Sequence, residues 1–523
     1  MSTAGTQAAD AGPAPLQGAT LVLLTIAISL ATFMEVLDMT IVNVSIPAIA
    51  GTLAVSPTEG TWTISSYSLA AAIMQPLTGW LGRRFGEVRT FAISGVLFVV
   101  FSGLCGFATS MTMLVIGRIL QGLVSGPMVP MAQALLLRSY PPQKRGMAMA
   151  MWAMVIFIAP ICGPVLGGWI TDNFSWPWLF YINVPVGLFA IGTSWSLLRK
   201  RESTRTRVPI DGVGLGLLVV GVGSLQFVLD RGNELDWFQS GTIVTISCVA
   251  VVAITLLIAW ELTDRHPVLD LHLFAHRNFS VGVATVCLGF FCFFGAVVVY
   301  PLWLQTTVGY TAIWAGLATA PVGILGLILM PIVGANLPRM NLRMVASFGF
   351  LTLSAVMFWI SSLNADAGFW NFVAPRLLQG VGLSCFFLPL QQIMFSDVKA
   401  HELAGASGLS SFLRNIAGSM STALSVWLWT ERSDYHSATL ATSVQQGANW
   451  SQWATQFNAL HGAGGSGSSP LLLAYSQFQV THEAQTLAIN DVVRLFGLVL
   501  LVLAPTIWLA RPFRRGQTVA AGH

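Results

Sequence analysis

Apolar runs long enough to cross a bilayer recur along the whole chain, separated by short polar turns. A hydrocarbon core takes about 20 apolar residues as a helix. Fourteen such runs can be drawn, over residues 20–48, 61–82, 90–108, 112–137, 146–170, 178–198, 210–229, 240–261, 280–305, 311–335, 343–362, 370–396, 403–430 and 489–510. Their apolar residues are continuous and do not alternate, which predicts helices and excludes barrel strands. The pattern therefore predicts an all-α polytopic membrane protein with fourteen transmembrane helices.

Composition agrees: 54% of the 523 residues are hydrophobic and 9% charged, with mean hydropathy +0.72, whereas a soluble domain is roughly a quarter charged. The opening MSTAGTQAADAGPAPLQG contains no Lys or Arg, so it is not read as a signal peptide, and the first helix is expected to stay attached. Most of the 25 Lys and Arg fall in alternate turns, around 83–89, 138–145, 199–207, 262–279, 336–343 and 397–402, and in the tail. By the positive-inside rule both termini are then cytoplasmic. The same excess accounts for the net charge of +4, so no nucleic-acid partner is expected. All six cysteines lie in apolar runs and read as small apolar filler, not disulfides.

The chain looks duplicated. In GRILQG (117–122) and PRLLQG (375–380), Arg118, Gln121 and Gly122 repeat in register as Arg376, Gln379 and Gly380. Equating these spans divides the chain into a cytoplasmic segment 1–19, a six-helix bundle 20–203, a two-helix insert 204–265, a second six-helix bundle 266–510 and a tail 511–523. Repeats around a central cavity are the usual build of secondary transporters. One outside segment, 431–488, is long and polar and reads either as a docking surface or as a solvated linker.

Glu35 and Asp38 interrupt the first apolar run at i and i+3, on one helix face. Charges in lipid are costly, so both should face a cavity. Desolvation and mutual repulsion favour the protonated form of a carboxyl, so one of the pair can exchange a proton near neutral pH. Arg118 needs a buried acid, which the chain offers in the first helix. Arg376 and Arg414 have no comparable acid in their spans, leaving backbone carbonyls, an anionic substrate group or cavity water as partners. Aromatic rings beside a few amides in GFFCFFGAVVVYPLWLQ and SCFFLPLQQ form either stacking surfaces for flat lipophilic compounds or a lipid-facing belt. Ala159, Gly163 and Gly167 follow a small-xxx-small spacing with Pro160 and Pro164 between, predicting a tight, kinked seam between the halves. No G-x-x-x-x-G-K-[ST] or H-E-x-x-H motif occurs, so a nucleotide-driven pump and a metalloprotease are disfavoured.

LDMTIVNVSIPAIA (37–50), GWLGRRFGEVR (79–89), GRILQG, APICGPVLGGWITDNFSWPWLFYINVPVG (159–187), LDRGNELDWF (229–238) and PLWLQTTVGYTAIWAGLATAPVG (301–323) together resemble the drug:proton antiporters of the major facilitator superfamily, fourteen-helix class. The likeness runs over nearly the whole chain. It implies the major facilitator fold, export of hydrophobic or amphipathic drugs driven by the proton gradient without a cofactor, a bacterial inner membrane, and work with a periplasmic adaptor and an outer-membrane channel. The resemblance singles out Asp38 for proton coupling, with Glu35 and Arg118 beside it. Substrate binding is expected at Asn43, Phe290, Phe291, Phe294, Tyr300, Phe386, Gln391, Gln392 and Arg414. Gly79, Arg83, Arg84, Gly86 and Arg89 form the conformational turn, and Gly163, Pro164, Gly167 and Gly168 the exporter signature. Gly82 stands where that turn usually carries an acid, so a carboxylate latch is not expected there. A narrower exporter of fatty acids or a secreted metabolite, and a channel or non-transporting sensor, are the rival readings.

Overall fold

The apolar runs become helices whose ends coincide with polar turns, Gly and Pro. The computed structural model describes residues 16–512, apart from 56, 142–143, 204, 207–208, 233–234, 265–266, 400–401 and 446–469. Its main helices are α1 (Gly18–Ile41), α2 (Trp62–Met74), α3 (Thr78–Phe85), α4 (Glu87–Gly106), α5 (Met111–Ser125), α6 (Met128–Ser139), α7 (Arg145–Asn173) and α8 (Asn183–Leu198). They continue as α9 (Gly212–Arg231), α10 (Gly241–Thr263), α11 (Arg277–Thr306), α12 (Pro321–Asn336), α13 (Leu342–Ile360), α14 (Phe369–Met394), α15 (Leu403–Gln445) and α16 (Pro470–Thr506). Among the described residues, eleven helical stretches are long and apolar enough to cross a membrane.

Three expected spans, 61–82, 146–170 and 403–430, are not among those eleven stretches. Residues 61–82 form two helices, α2 and α3, separated at Pro76, because proline lacks the amide hydrogen that continues a helix and clashes with the preceding turn. The helix α7 is continuous over 29 residues. Helix α15 carries Ser407, Ser410, Ser411, Ser421 and Ser425 buried along its length, which lowers its hydropathy without exposing it. Their hydroxyls find different partners: Ser421 donates to Phe291 O, Ser407 to Gln133 Oε1 and Ser410 to Met394 Sδ, while Ser425 Oγ is buried without one among the described residues.

The segment 431–488 differs most from expectation. Residues 431–445 continue α15 and 470–488 begin α16, so much of the expected loop is helix. At about 1.5 Å per residue, the 43 residues of α15 extend about twice the roughly 30 Å of a bilayer core. Polarity at Glu431 and Arg432 marks where the apolar run stops, and a helix need not stop there. Arg432 and His436 of α15 both meet Asp491 of α16, at 2.6 and 2.8 Å, tying the two helices together. Trp450, Trp453 and Phe457, expected as interface anchors, lie outside the described residues. Phe478 lies on α16 and is exposed.

Helix α1 packs on α7 and α8, α2 on α5, and α4 on α5 and α8. In the second part of the chain α13 packs on α14 and α16, α11 on α15 and α16, and α12 on α14. The pair α9–α10 packs on itself and touches α2 and α15.

The two groups of helices meet through α7–α12, α6–α15 and α3–α15. Their close approaches sit near the basic turns. A Cβ at Gly79 would stand 2.7 Å from the Gly405 Cα, and one at Gly408 would stand 2.6 Å from the Gln75 carbonyl oxygen. Gln133 of α6 donates to Gln391 Oε1 of α14 at 3.1 Å and accepts from Ser407 of α15. Trp152 of α7 stacks on Phe387 of α14, centroids 6.4 Å apart.

Because Gly79 meets backbone and not a movable side chain, Gly79→Val must push α3 from α15. Overpacking of this kind costs about 1–3 kcal/mol, enough to open this end in a measurable fraction of molecules. With Ala404→Cys as the reporter in a chain whose native cysteines are replaced, maleimide labelling should quicken several-fold on adding Gly79→Val. An unchanged rate would show that the glycine contact does not hold this end together.

Candidate functional site

Helical spacing sets Glu35 and Asp38 one turn apart on α1, and both are buried. Asp38 receives donors from two other helices. Arg118 Nη1 of α5 donates to its Oδ2 at 2.5 Å, Gln121 Nε2 to its Oδ1 at 3.2 Å, and Asn183 Nδ2 of α8 to the same Oδ1 at 2.7 Å. The ion pair is sealed, with both side chains at 0% exposure.

Arg118 is held from several sides. Its Nε donates to the Thr63 carbonyl at 2.9 Å, its Nη1 also to Gln121 Oε1 at 2.8 Å, and its guanidinium lies 4.1 Å from the Tyr67 ring centroid. Asn183 is oriented in turn, because its Nδ2 also reaches Ser102 Oγ at 3.0 Å and that hydroxyl donates to Phe180 O at 2.9 Å. An ion in a low-dielectric interior is stable only when its remaining hydrogen-bonding capacity is met. Here one carboxylate holds α1, α5 and α8 in one arrangement.

Asn183, Ser102, Tyr67 and Thr63 were not singled out from the sequence. Asn183 had a signal: an amide inside the apolar run 178–198 needs a polar partner. Thr63 contributes its backbone carbonyl, for which a sequence gives no sign.

The repeat recurs with a changed partner. Arg376 Nη1 donates to Gln379 Oε1 at 2.7 Å, matching Arg118 and Gln121, but its guanidinium lies over the Tyr300 ring at 3.9 Å. Tyr300 belongs to α11, the first helix of the second half, so it stands against Arg376 as α1's Asp38 stands against Arg118. Tyr300 is 0% exposed and packs inside the helix group, so it does not line an open cavity as expected.

The other candidates separate. Glu35 is buried and its Oε2 has no partner. Asn43 lies in a short turn beyond α1, exposed and outside the Asp38 network, because the helix ends at Ile41. Phe290 is buried at the centre of a ring cluster with Phe294 and Phe387, at 5.6 and 5.4 Å. Phe291, one residue on, points to another face and packs on Phe496 of α16 at 6.3 Å. Phe386 is 0% exposed against Phe350 at 5.0 Å, an interior packing residue and not a cavity surface. Gln391 joins the contact between halves, and Gln392 is half-buried. Arg414 of α15 is buried, 5.3 Å from the Phe290 centroid.

In the turn between α3 and α4, Gly86 adopts φ 95°, a left-handed conformation that glycine allows without strain. Glu202 uses the opening: its Oε1 and Oε2 accept from the amides of Val88 and Arg89, each at 3.0 Å, while Ser203 Oγ accepts from Glu87 at 3.1 Å. A carboxylate at a helix N-terminus satisfies donors that the helix leaves open. Thus an acid does serve this turn, supplied from after α8. Arg83 is half-buried, with its carbonyl accepting from Thr206, whereas Arg84 and Arg89 are exposed.

Gly163 and Gly167 face α1, where added Cβ atoms would strike Thr40 and the Ile41 carbonyl. The tight seam is therefore between α7 and α1, within the first half. The contact of α7 with the second half comes from Gly146 and Ala150 against Gly334 instead. Gly168 is half-buried, and Pro164 lies within the helix. Among the described residues, no group of three or more His, Cys, Asp or Glu could hold a metal ion.

Removing one partner of a buried ion pair leaves the other charge uncompensated, at a cost of about 3–5 kcal/mol. Arg118→Met should lower the unfolding temperature of the purified protein markedly, and Arg118→Met combined with Asp38→Leu should recover most of the loss. Equal destabilisation by the single and double variants would mean that the pair is not what stabilises this junction.

Residues 28–422 match the model of the Major Facilitator Superfamily. The chain is 46% identical over 499 residues to the multidrug export protein EmrB of Haemophilus influenzae, covering 95% of this chain and 97% of that relative. It is 44% identical over 503 residues to EmrB of Escherichia coli, with the same shares covered. It is 42% identical over 498 residues to the fatty acid resistance protein FarB of Neisseria gonorrhoeae, again with 95% and 97% covered. The structure of the proton:xylose symporter XylE bound to 6-bromo-6-deoxy-D-glucose aligns with a TM-score of 0.57 at 14% identity, over 94% of this chain and 95% of that one, a likeness of fold. Helical architecture, matched family model and near full-length relatives agree: this chain belongs to the Major Facilitator Superfamily, as a multi-pass membrane transporter closely related to EmrB-type exporters.

Proposed function

We propose that this transporter is a proton-coupled antiporter that exports hydrophobic or amphipathic drugs across a bacterial inner membrane. The sealed Asp38–Arg118 pair carries the reading. A carboxylate bound by Arg118, Gln121 and Asn183 has its charge matched. When it takes up a proton, the guanidinium loses its counter-ion, and the junction of α1, α5 and α8 loses its strongest interaction. Protonation is thereby linked to helix packing, which is what coupling requires. Glu35, one turn away, is a second proton acceptor on the same helix.

In this reading the basic turns and both termini are cytoplasmic and the chain crosses the membrane fourteen times, as two six-helix bundles with the insert 204–265 between them. The halves then close on the cytoplasmic side, around Gly79–Gly405 and Gln133–Gln391, leaving an outward-facing arrangement. Phe294, Gln392 and Arg414 are the substrate-binding residues, with Phe290 packed behind Phe294. The names of the EmrB relatives support drugs as substrates. A narrower exporter of fatty acids is the second reading, favoured by the FarB relative.

Asp38→Asn keeps the shape and removes the titrating group. It should abolish gradient-driven export from everted vesicles while retaining substrate binding, with Glu35→Gln milder. Full active transport by Asp38→Asn would refute the coupling role.

Delivery to a periplasmic adaptor (EmrA-like) and an outer-membrane channel (TolC-like) completes the proposal, with the outward ends of α15 and α16 and the residues between them as the docking element. Replacing 446–469 with a short Gly-Ser linker should leave folding and substrate binding intact and reduce adaptor copurification. Normal adaptor capture would put the docking surface elsewhere.

A further inference from the structure

Three arginines are buried among the helices, and their surroundings differ. Arg118 faces a carboxylate, and Arg376 is covered by Tyr300 and bonded to Gln379. Arg414 has neither arrangement. It is 6% exposed, and its one hydrogen bond is to Ser411 Oγ at a long 3.5 Å. Among the described residues no carboxylate lies within ion-pair distance of it. A guanidinium has five donors in a planar fork, so four are left without a protein acceptor.

Arg414 differs from the other two in access as well. Arg118 Nη2 and Arg376 Nε are fully sealed without a partner among the described residues, whereas no Arg414 nitrogen is both fully sealed and unbonded. Aromatic rings adjoin Arg414: the buried Phe290 lies 5.3 Å from the guanidinium, the half-buried Phe294 is tilted against Phe290 with centroids 5.6 Å apart, and a Cβ at Gly418, one turn along α15, would stand 3.4 Å from the Phe294 ring. Glycine at 418 leaves room beside that ring. The buried acids among the described residues are Glu35 and Asp38 of α1, Glu87 of α4 and Glu261 of α10; Asp38 pairs with Arg118, Glu87 with Arg138, and Glu261 accepts from the Leu269 amide.

Burying an unpaired cation is costly, and placing it beside the half-buried Phe294 ring is useful when an anion with an apolar body arrives. We propose that Arg414 is the anion-recognition residue of the substrate cavity, so that the exported compounds include amphipathic anions. The flat or extended body rests on Phe294, which Phe290 backs from the core, and the carboxylate or other oxyanion head takes the guanidinium fork. This rests on the exporter reading and adds the charge of the substrate, which the family match leaves open.

The test uses the full-length protein in phosphatidylcholine nanodiscs, which supply no anionic lipid, and three fluorescent probes with one apolar body: pyrenebutanoate, pyrenebutanamide and a pyrenebutyl trimethylammonium salt. Binding is read by anisotropy, independently of transport. The parent protein should bind the anion more tightly than the amide. Arg414→Gln should lower the anion-to-amide affinity ratio about 10- to 100-fold, the range of a hydrogen-bonded charge contact, with Arg414→Lys in between. Equal loss for all three probes would assign Arg414 a structural role, for example a pair with Glu35, and overturn the proposal. So would an unchanged ratio, or tighter binding of the cation by the parent protein. Adding phosphatidylglycerol distinguishes the source of the anion: if that lipid displaces pyrenebutanoate at trace levels, the site is a lipid headgroup site and the substrate inference fails. Proton-driven uptake of any of the three probes into everted vesicles tests the exporter reading separately, and its absence would sink that reading while the binding ratios still decide the role of Arg414.

Discussion

A guanidinium cannot be neutralised in a membrane interior, and the organisation of the first half follows from that constraint. Arg118 is fully buried and carries its charge at any attainable pH. It therefore needs a counter-ion and acceptors at fixed places, and the fold provides them from different helices: Asp38 from α1, Gln121 one turn along its own helix, and the Thr63 carbonyl of α2. Asn183 of α8 braces the carboxylate from the opposite side. The small residues of α7 serve the same junction, because Gly163 and Gly167 let α7 approach α1 at Thr40 and Ile41, directly after Asp38. Polar pairing and close helix packing thus meet at one point of α1.

The second half repeats the geometry with a different partner. With Tyr300 against Arg376 in place of a carboxylate, the second arginine is accommodated by ring contact and an amide. A cation over an aromatic face is stabilised by the ring quadrupole, and a phenol exchanges no proton in the physiological range. The two Arg-Gln frames are thus similar in geometry, and the first of them holds a carboxylate. The asymmetry leaves Arg376 and Arg414 without a carboxylate partner among the described residues, while Arg118 has Asp38.

The helices were legible in the sequence because hydropathy over about 20 residues is a strong signal, and so were Asp38 and Arg118, since an ion in an apolar run has few places to go. What the sequence did not show was direction. Phe290 and Phe291 are neighbours in the same run, yet one faces the ring cluster and the other Phe496. Phe386 and Tyr300 read as cavity surface and are interior packing. In a helix that is apolar on all sides, periodicity carries no label for the face that meets lipid, partner helix or cavity. Length was hidden for a related reason: α15 outruns its apolar stretch, and hydropathy marks the end of the membrane, which is not the end of the helix. Glu202 was invisible because its role is to cap a helix begun over a hundred residues earlier.

The chemistry of the contact between halves bears on how such a molecule moves. Where the halves touch, the contacts are glycine against backbone and amide or hydroxyl pairs, at Gly79–Gly405, Gly146–Gly334 and Gln133–Gln391–Ser407, with the stacked Trp152 and Phe387 beside them. Amides and hydroxyls separated here would bond to water at little net cost, whereas interlocked aliphatic side chains would expose apolar area at about 25 cal/mol per Å². A surface that must open and close on every cycle is better built from the first kind of contact. The interior of each group, where Phe91 and Phe98 in the first and Phe350, Phe372, Phe386 and Trp303 in the second are sealed, is built from the second kind of contact. Groups of helices joined by a seam that includes glycine and amide contacts can separate there while each group keeps its own packing.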